Sequence, residues 1–174
     1  LCRSSAASDV YKRQGLNYSQ MINKTLYGAV AYDQAFGYLS NYDESMPDNV
    51  DPKSEGGSYT VAEHKWDEAF GYFGARRDFL NPASVGDCID LTSEHNFGWA
   101  SYATKRDNDT ENIAYRNGVM FKADIFNAFV AGRAIIHNEG TIDELAPHMA
   151  TIRTRFEQLC AANVVHYVHS VLNL

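Results

Sequence analysis

Three side chains within five residues have types suited to chemistry: His64, Asp67 and Glu68. His64 and Glu68 are four apart, so on a helix they share a face, with Asp67 beside them. One imidazole and one or two carboxylates make a half-site for a divalent metal such as zinc or iron. The same residues also suit a solvated helix surface or an interhelical hydrogen bond. His166 and His169 form a second pair, three apart, near a helix C-terminus, where the helix dipole favours histidine without any ligand. A zinc peptidase needs about three protein ligands, an open water position and a general base. Only parts of such a set are present, and no His-Glu-x-x-His occurs. The cysteines show no CxxC spacing, so they carry no metal or redox signature. Residues 41–59 include Asp43, Glu44, Asp48, Asp51 and Glu55 but lack the alternate spacing of a calcium loop, and they read as a solvated acidic loop.

Helices must position these groups. Residues 16–39 are expected to form one, with Ile22, Leu26, Val30, Phe36 and Leu39 as its apolar stripe. Thr60 and Glu63 form a capping box that starts a helix over residues 61–73, and Gly74 stops it. A short helix follows at 97–106. A longer one spans 119–137, with Val119, Phe126, Phe129, Val130 and Ile136 as its buried side and Asn138-Glu139-Gly140 as its stop. Thr141 and Glu144 form a second capping box, after which Pro147 predicts a kink or a restart. From there Ile152, Phe156, Leu159, Val164, Tyr167 and Val171 make a stripe almost to the chain end. No segment alternates with period two. The expected fold is all-α, an up-and-down bundle of four to five helices.

Composition limits the function classes. The chain has 174 residues, 45% of them hydrophobic, with net charge −7. Its apolar content is too high for a disordered chain, and an acidic chain lacks the basic face of a nucleic-acid binder. Arg133 interrupts the most apolar helix, so no transmembrane span is expected. Residues 1–14 have no periodicity and resemble a translated library adapter, the alternative being a native flexible tail. Without them the net charge becomes −9, because three of the 15 basic residues and one of the 22 acidic residues are lost. Residues 15–174 are then read as part of a larger helical domain whose N-terminus is missing.

Two octapeptides match each other at an offset of 34 residues: Tyr32-Asp33-Gln34-Ala35-Phe36-Gly37-Tyr38-Leu39 and Trp66-Asp67-Glu68-Ala69-Phe70-Gly71-Tyr72-Phe73. The Pro/Gly-rich loop between them rules out a tetratricopeptide array, so two helices with like faces should pack together. In that pairing Gly37 and Gly71 would admit a close neighbour, and Phe36 and Phe70 would anchor the core. Arg133, within an apolar helix, needs a partner, and Asp33 and Asp67 are the candidates. Trp66, Trp99, Tyr38 and Tyr72 suit either a ligand groove or the core.

The segment Glu63-His64-Lys65-Trp66-Asp67-Glu68-Ala69-Phe70-Gly71-Tyr72-Phe73-Gly74 resembles the signature of an uncharacterised, imelysin-related family of bacterial envelope proteins, domain of unknown function 4856. Phe97-Gly98-Trp99 through Lys105-Arg106-Asp107, Ala128-Phe129-Val130-Ala131-Gly132-Arg133-Ala134-Ile135-Ile136, and Phe156-Glu157 through Asn163-Val164-Val165-His166-Tyr167 resemble its other blocks, in order. The resemblance implies an all-helical fold in the cell envelope, in the periplasm or at the outer membrane, and usually a lipid anchor there, supplied by the missing N-terminus. Its imelysin relatives include metallopeptidases and iron-uptake proteins with a Gly-x-His-x-x-Glu motif. Here Ala62-Glu63-His64-Lys65-Trp66-Asp67 departs from that motif at both ends, which weakens a peptidase reading. The expectation is a non-catalytic helical domain that binds a metal ion or a small ligand. A metallopeptidase and an interaction module of an outer-membrane assembly are the alternatives.

Overall fold

A computed structural model describes residues 18–50, 57–80, 96–109 and 118–172. The tail assigned to residues 1–14, with Cys2, lies outside this set, as does Cys88. Five helical rods make up the described residues, with no strand among them, as the sequence predicts. The first rod is continuous: α1 (Tyr18–Asn23), a π-helical segment (Lys24–Val30) and α2 (Ala31–Leu39), with Asn23, Val30 and Ala31 all at right-handed helical angles. Next come α3 (Val61–Phe73), α4 (Gly98–Asp107), α5 (Phe121–His137) and α6 (Ile142–Leu172). No described helix is long and apolar enough to cross a membrane.

Local sequence fixes the helix ends. The Thr60 side chain accepts from the Glu63 N–H, and the Glu63 carboxylate accepts from the Thr60 N–H, which closes the expected capping box. Gly74 then turns into the left-handed region at φ 83°, and a side chain there would run into the Phe97 backbone. Thr141 and Glu144 cap α6 in the same way. Pro147 sits inside α6 without causing the helix to restart. Asp107 accepts from the N–H groups of Phe121 and Lys122, so one carboxylate serves the start of α5 from the end of α4.

Aromatic residues build the core. The twin motifs do pack against each other: Tyr38 stacks on its counterpart Tyr72 with ring centroids 5.9 Å apart, and Ala35 and Ala69 are both fully buried. Each copy then addresses a different helix. Phe36 meets Phe156 of α6 at 5.8 Å, and Phe70 meets Phe129 of α5 at 5.4 Å. Phe73 touches both Phe129 and Phe156 and closes the centre.

Several expectations need correcting. Nothing lies within 4 Å of a side chain placed at Gly37 or Gly71, so neither admits a neighbour. The close approach is at Gly132, where a Cβ would overlap the Trp66 ring. Phe36 and Phe70 are half-buried, while Leu39 and Phe73 are fully buried. The predicted stripe of the first rod is buried only at its C-terminal end. Ile22, Leu26 and Val30 are exposed because no described helix packs on that side. Val130 is exposed as well, and α6 buries Ile152, Phe156 and Leu159 but exposes Val164, Tyr167 and Val171. The described part of the acidic loop is tied down. Tyr42 is buried with its hydroxyl donating to the Ala62 carbonyl, and Asn49 donates to the Ile136 carbonyl at 2.6 Å.

Candidate functional site

Two regions collect functional groups, and the first contains the residues singled out by sequence. His64 Nε2 and Glu68 Oε1 approach to 3.4 Å on the face of α3, and Tyr59 stacks on the imidazole. Asp67 turns the other way and accepts from Arg133 Nε at 3.0 Å. The three expected metal ligands are thus divided between two ion pairs. Among the described residues no group of three or more His, Cys, Asp or Glu side chains is placed to hold a metal ion.

Arg133 takes Asp67, not Asp33, and a second partner that no sequence spacing pointed to. Its Nη1 donates to Glu63 Oε1 at 2.5 Å, where His137 Nδ1 also lies at 2.9 Å. Glu63 is 4% exposed, so one carboxylate caps α3 and ties it to α5. Burial pushes the Glu63 pKa up, but hydrogen bonds from His137, the Thr60 N–H and Arg133 outweigh it and hold the group below the usual carboxylate range. A carboxylate with a lowered folded value stabilises the fold above its unfolded pKa, and this contribution fades as the pH falls through the folded value. Urea midpoints measured from pH 7 to pH 3 should therefore fall on the acid side, with a shallower slope in Glu63→Gln. Equal slopes would show that the Glu63 cluster contributes nothing to acid lability.

His166 pairs with Asp109 at 3.0 Å, and Asp109 also faces the buried Arg106 guanidinium at 3.3 Å. This pair of elements, α4 and α6, frames the second region.

There the π-helical segment, α4 and α6 enclose a groove of about 770 Å³, lined almost wholly by apolar groups. Trp99 forms one wall, its Nε1 donating to the Gly28 carbonyl at 3.2 Å. The π-helical turn exposes that carbonyl to a side chain from another helix, a local irregularity common at functional sites. Val164, Val168, Val171 and Leu172 of α6 form the other wall. Cys160 lies within the groove, and burial pushes its thiol up to about 11, so it stays protonated near neutrality. Lys24 stands at the edge, with Nζ 2.9 Å from the Tyr167 hydroxyl and 4.4 Å from the centre of the Tyr102 ring. Of the aromatic groove candidates, only Trp99 lines this groove. Trp66 is in the core, with Nε1 donating to the Phe129 carbonyl, although its ring also borders a smaller hollow beside Arg133.

Sequence reasoning missed Lys24 and did not separate the α6 wall from the rest of the apolar stripe on that helix. Periodicity finds the stripe but does not say which stretch of it lacks a covering helix.

An all-α bundle with an apolar groove between its first and last rods defines a class of helical domain that leaves its chemistry open. The chain belongs to the family described as domain of unknown function DUF4856, which matches residues 4–173. No curated protein and no solved structure matches it.

Proposed function

We propose that this domain is a non-catalytic binding module that holds the apolar part of a ligand in the groove between the π-helical segment, α4 and α6. The observation that carries this reading is the groove's volume and apolar lining, within the usual range of about 300–1,000 Å³ for ligand sites. Its α6 wall is exposed at Val164 (63%), Val171 (68%) and Leu172 (75%), a contiguous apolar surface of the kind that marks binding sites. A protonated Cys160 thiol is a poor nucleophile, which favours binding over covalent chemistry there. An envelope setting and a tie to imelysin-type proteins belong to the same proposal and rest on the motif resemblance alone.

The test uses the neutral fluorophore N-phenyl-1-naphthylamine. Its fluorescence should rise saturably with one site per chain. Val168→Asp should abolish this rise, and Val130→Asp, an exposed valine on α5 outside the groove, should leave it intact. Probe binding that Val168→Asp leaves unchanged, in a variant with wild-type circular dichroism, would place the ligand elsewhere.

A further inference from the structure

The apolar groove does not stand alone. A second hollow of about 330 Å³ adjoins it and shares Lys24, Gly28 and Tyr102. This second hollow is more polar than the first, with polar and apolar groups both in its lining. Gln20, Asn23, Asn96 and Ser101 line it, and Lys105 and Lys24 are the charged residues among its described lining. Both ammonium groups lie over the Tyr102 ring, Lys24 at 4.4 Å and Lys105 at 5.5 Å from its centre. Neither lysine has a carboxylate partner among the described residues.

We infer that the two hollows form one bipartite site for a single-chain amphiphile with an anionic head, the head held by Lys24 and Lys105 and the tail lying along α6. This rests on the groove reading above and deepens it. Three features point to that ligand class.

The first is charge. In a chain of net charge −7, two ammonium groups border one hollow with no acidic side chain lining it among the described residues. Both ammonium groups border the same hollow, and an anion bound there is attracted by each. The second is the supply of donors. An ammonium has three N–H groups, and Lys24 spends one on the Tyr167 hydroxyl oxygen. That leaves N–H groups on Lys24, and the hydroxyl proton of Tyr167, to donate to an oxyanion. The start of α4 adds to them, since Phe97 provides no side-chain cap and Gly98 lines the hollow. The third is length. The apolar wall runs along α6 from Cys160 to Leu172, about 18 Å at 1.5 Å per residue, and an alkyl tail can lie along either part of it from Tyr167, where Lys24 meets it. A second copy of the chain would need an acidic, apolar-tipped segment to satisfy the same hollow, and a single-chain anion does so directly.

The experiment displaces N-phenyl-1-naphthylamine from the intact chain with monododecyl phosphate and with 1-dodecanol, each below its aggregation limit. The phosphate should displace the probe at a concentration about tenfold or more lower than the alcohol. In Lys24→Met/Lys105→Met the ratio of the alcohol and phosphate displacement concentrations, read within the variant, should fall to about one, and added salt should reduce it in the wild type. Equal potency of the two in the wild type, or a phosphate advantage that survives the double substitution, would overturn the inference and leave the groove reading standing. Probe binding insensitive to Val168→Asp would fail the groove reading itself. Sedimentation velocity gives the remaining outcome: a dimer that Val168→Asp dissociates and monododecyl phosphate does not would assign the groove to a second copy. Flotation with phosphatidylglycerol vesicles, with no displacement by the monomeric phosphate, would assign it to a membrane surface. Either result overturns the inference.

Discussion

Phe156→Ala should lower stability by about 3–5 kcal/mol. Phe156 is fully buried, and its ring meets four others: Tyr32 at 6.2 Å, Phe36 at 5.8 Å, Phe73 at 5.3 Å and Trp99 at 6.0 Å. These come from α2, α3 and α4, so removing one ring empties the point where α6 holds three other helices. Edge-to-face geometry adds to the area lost, because each such pair contributes about 0.5–1.5 kcal/mol beyond burial. The cavity could close only if several helices moved together. Against a typical total of about 5–15 kcal/mol, the loss is a large share of the fold. Urea denaturation gives the measurement, with a lower midpoint at an unchanged slope as the expected result. Phe70→Ala is the comparison: Phe70 is half-buried, and its truncation should cost less. A Phe156→Ala loss no larger than that of Phe70→Ala would refute this account of the core.

The second result concerns two glycines and has opposite signs. Gly132→Ala places a Cβ in the Trp66 ring, whose Nε1 is already committed to the Phe129 carbonyl. The indole is 1% exposed and packs edge-on against Tyr42 at 5.5 Å and Phe129 at 5.7 Å, so shifting it breaks these contacts and its hydrogen bond. Overpacking of this kind costs about 1–3 kcal/mol. Gly71→Ala enters open space in the interior of α3 and should stabilise the chain by about 0.5–1 kcal/mol through helix propensity. Thermal denaturation of both variants decides the matter. The same sign for the two substitutions would mean that Trp66 is not wedged against α5.

These two glycines mark the boundary of what the sequence discloses. Thr60-Val61-Ala62-Glu63 announces a helix start because the groups that satisfy each other lie three residues apart. The pairing of the twin motifs is legible for a related reason, since like faces on two helices can meet in only a few ways. Gly71 and Gly132 look alike in sequence, and only the helix across from each decides which one tolerates a side chain. The same limit applies to α6, where Phe156 and Val164 belong to one periodic stripe but only the first is covered. Glu63 is a further example. Its cap is a local property, while its bond to Arg133 depends on α3 and α5 lying side by side. Of the candidate site, sequence supplied the approach of His64 to Glu68 and narrowed the partner of Arg133 to Asp33 or Asp67, of which the structure takes Asp67. It did not supply the groove or the lysine pair, because both are made by elements far apart in the chain.

The stacking of Tyr38 on Tyr72 has a consequence for assembly. When equivalent residues of two like motifs meet, the surface is self-complementary, as at the interface of a two-fold dimer. Such a surface cannot by itself tell the other copy in its own chain from the same copy in a neighbouring chain. Discrimination falls to residues 40–60, which tether α3 to α2 and give each motif an effective partner concentration in the millimolar range. Chains in solution rarely reach that concentration, so the tether favours intramolecular pairing. Anchor points such as Tyr42 against Ala62 and Asn49 against Ile136 then hold the tether in place once the pair has formed. A chain lengthened within that tether would lose part of this advantage and would begin to exchange helices with its neighbours.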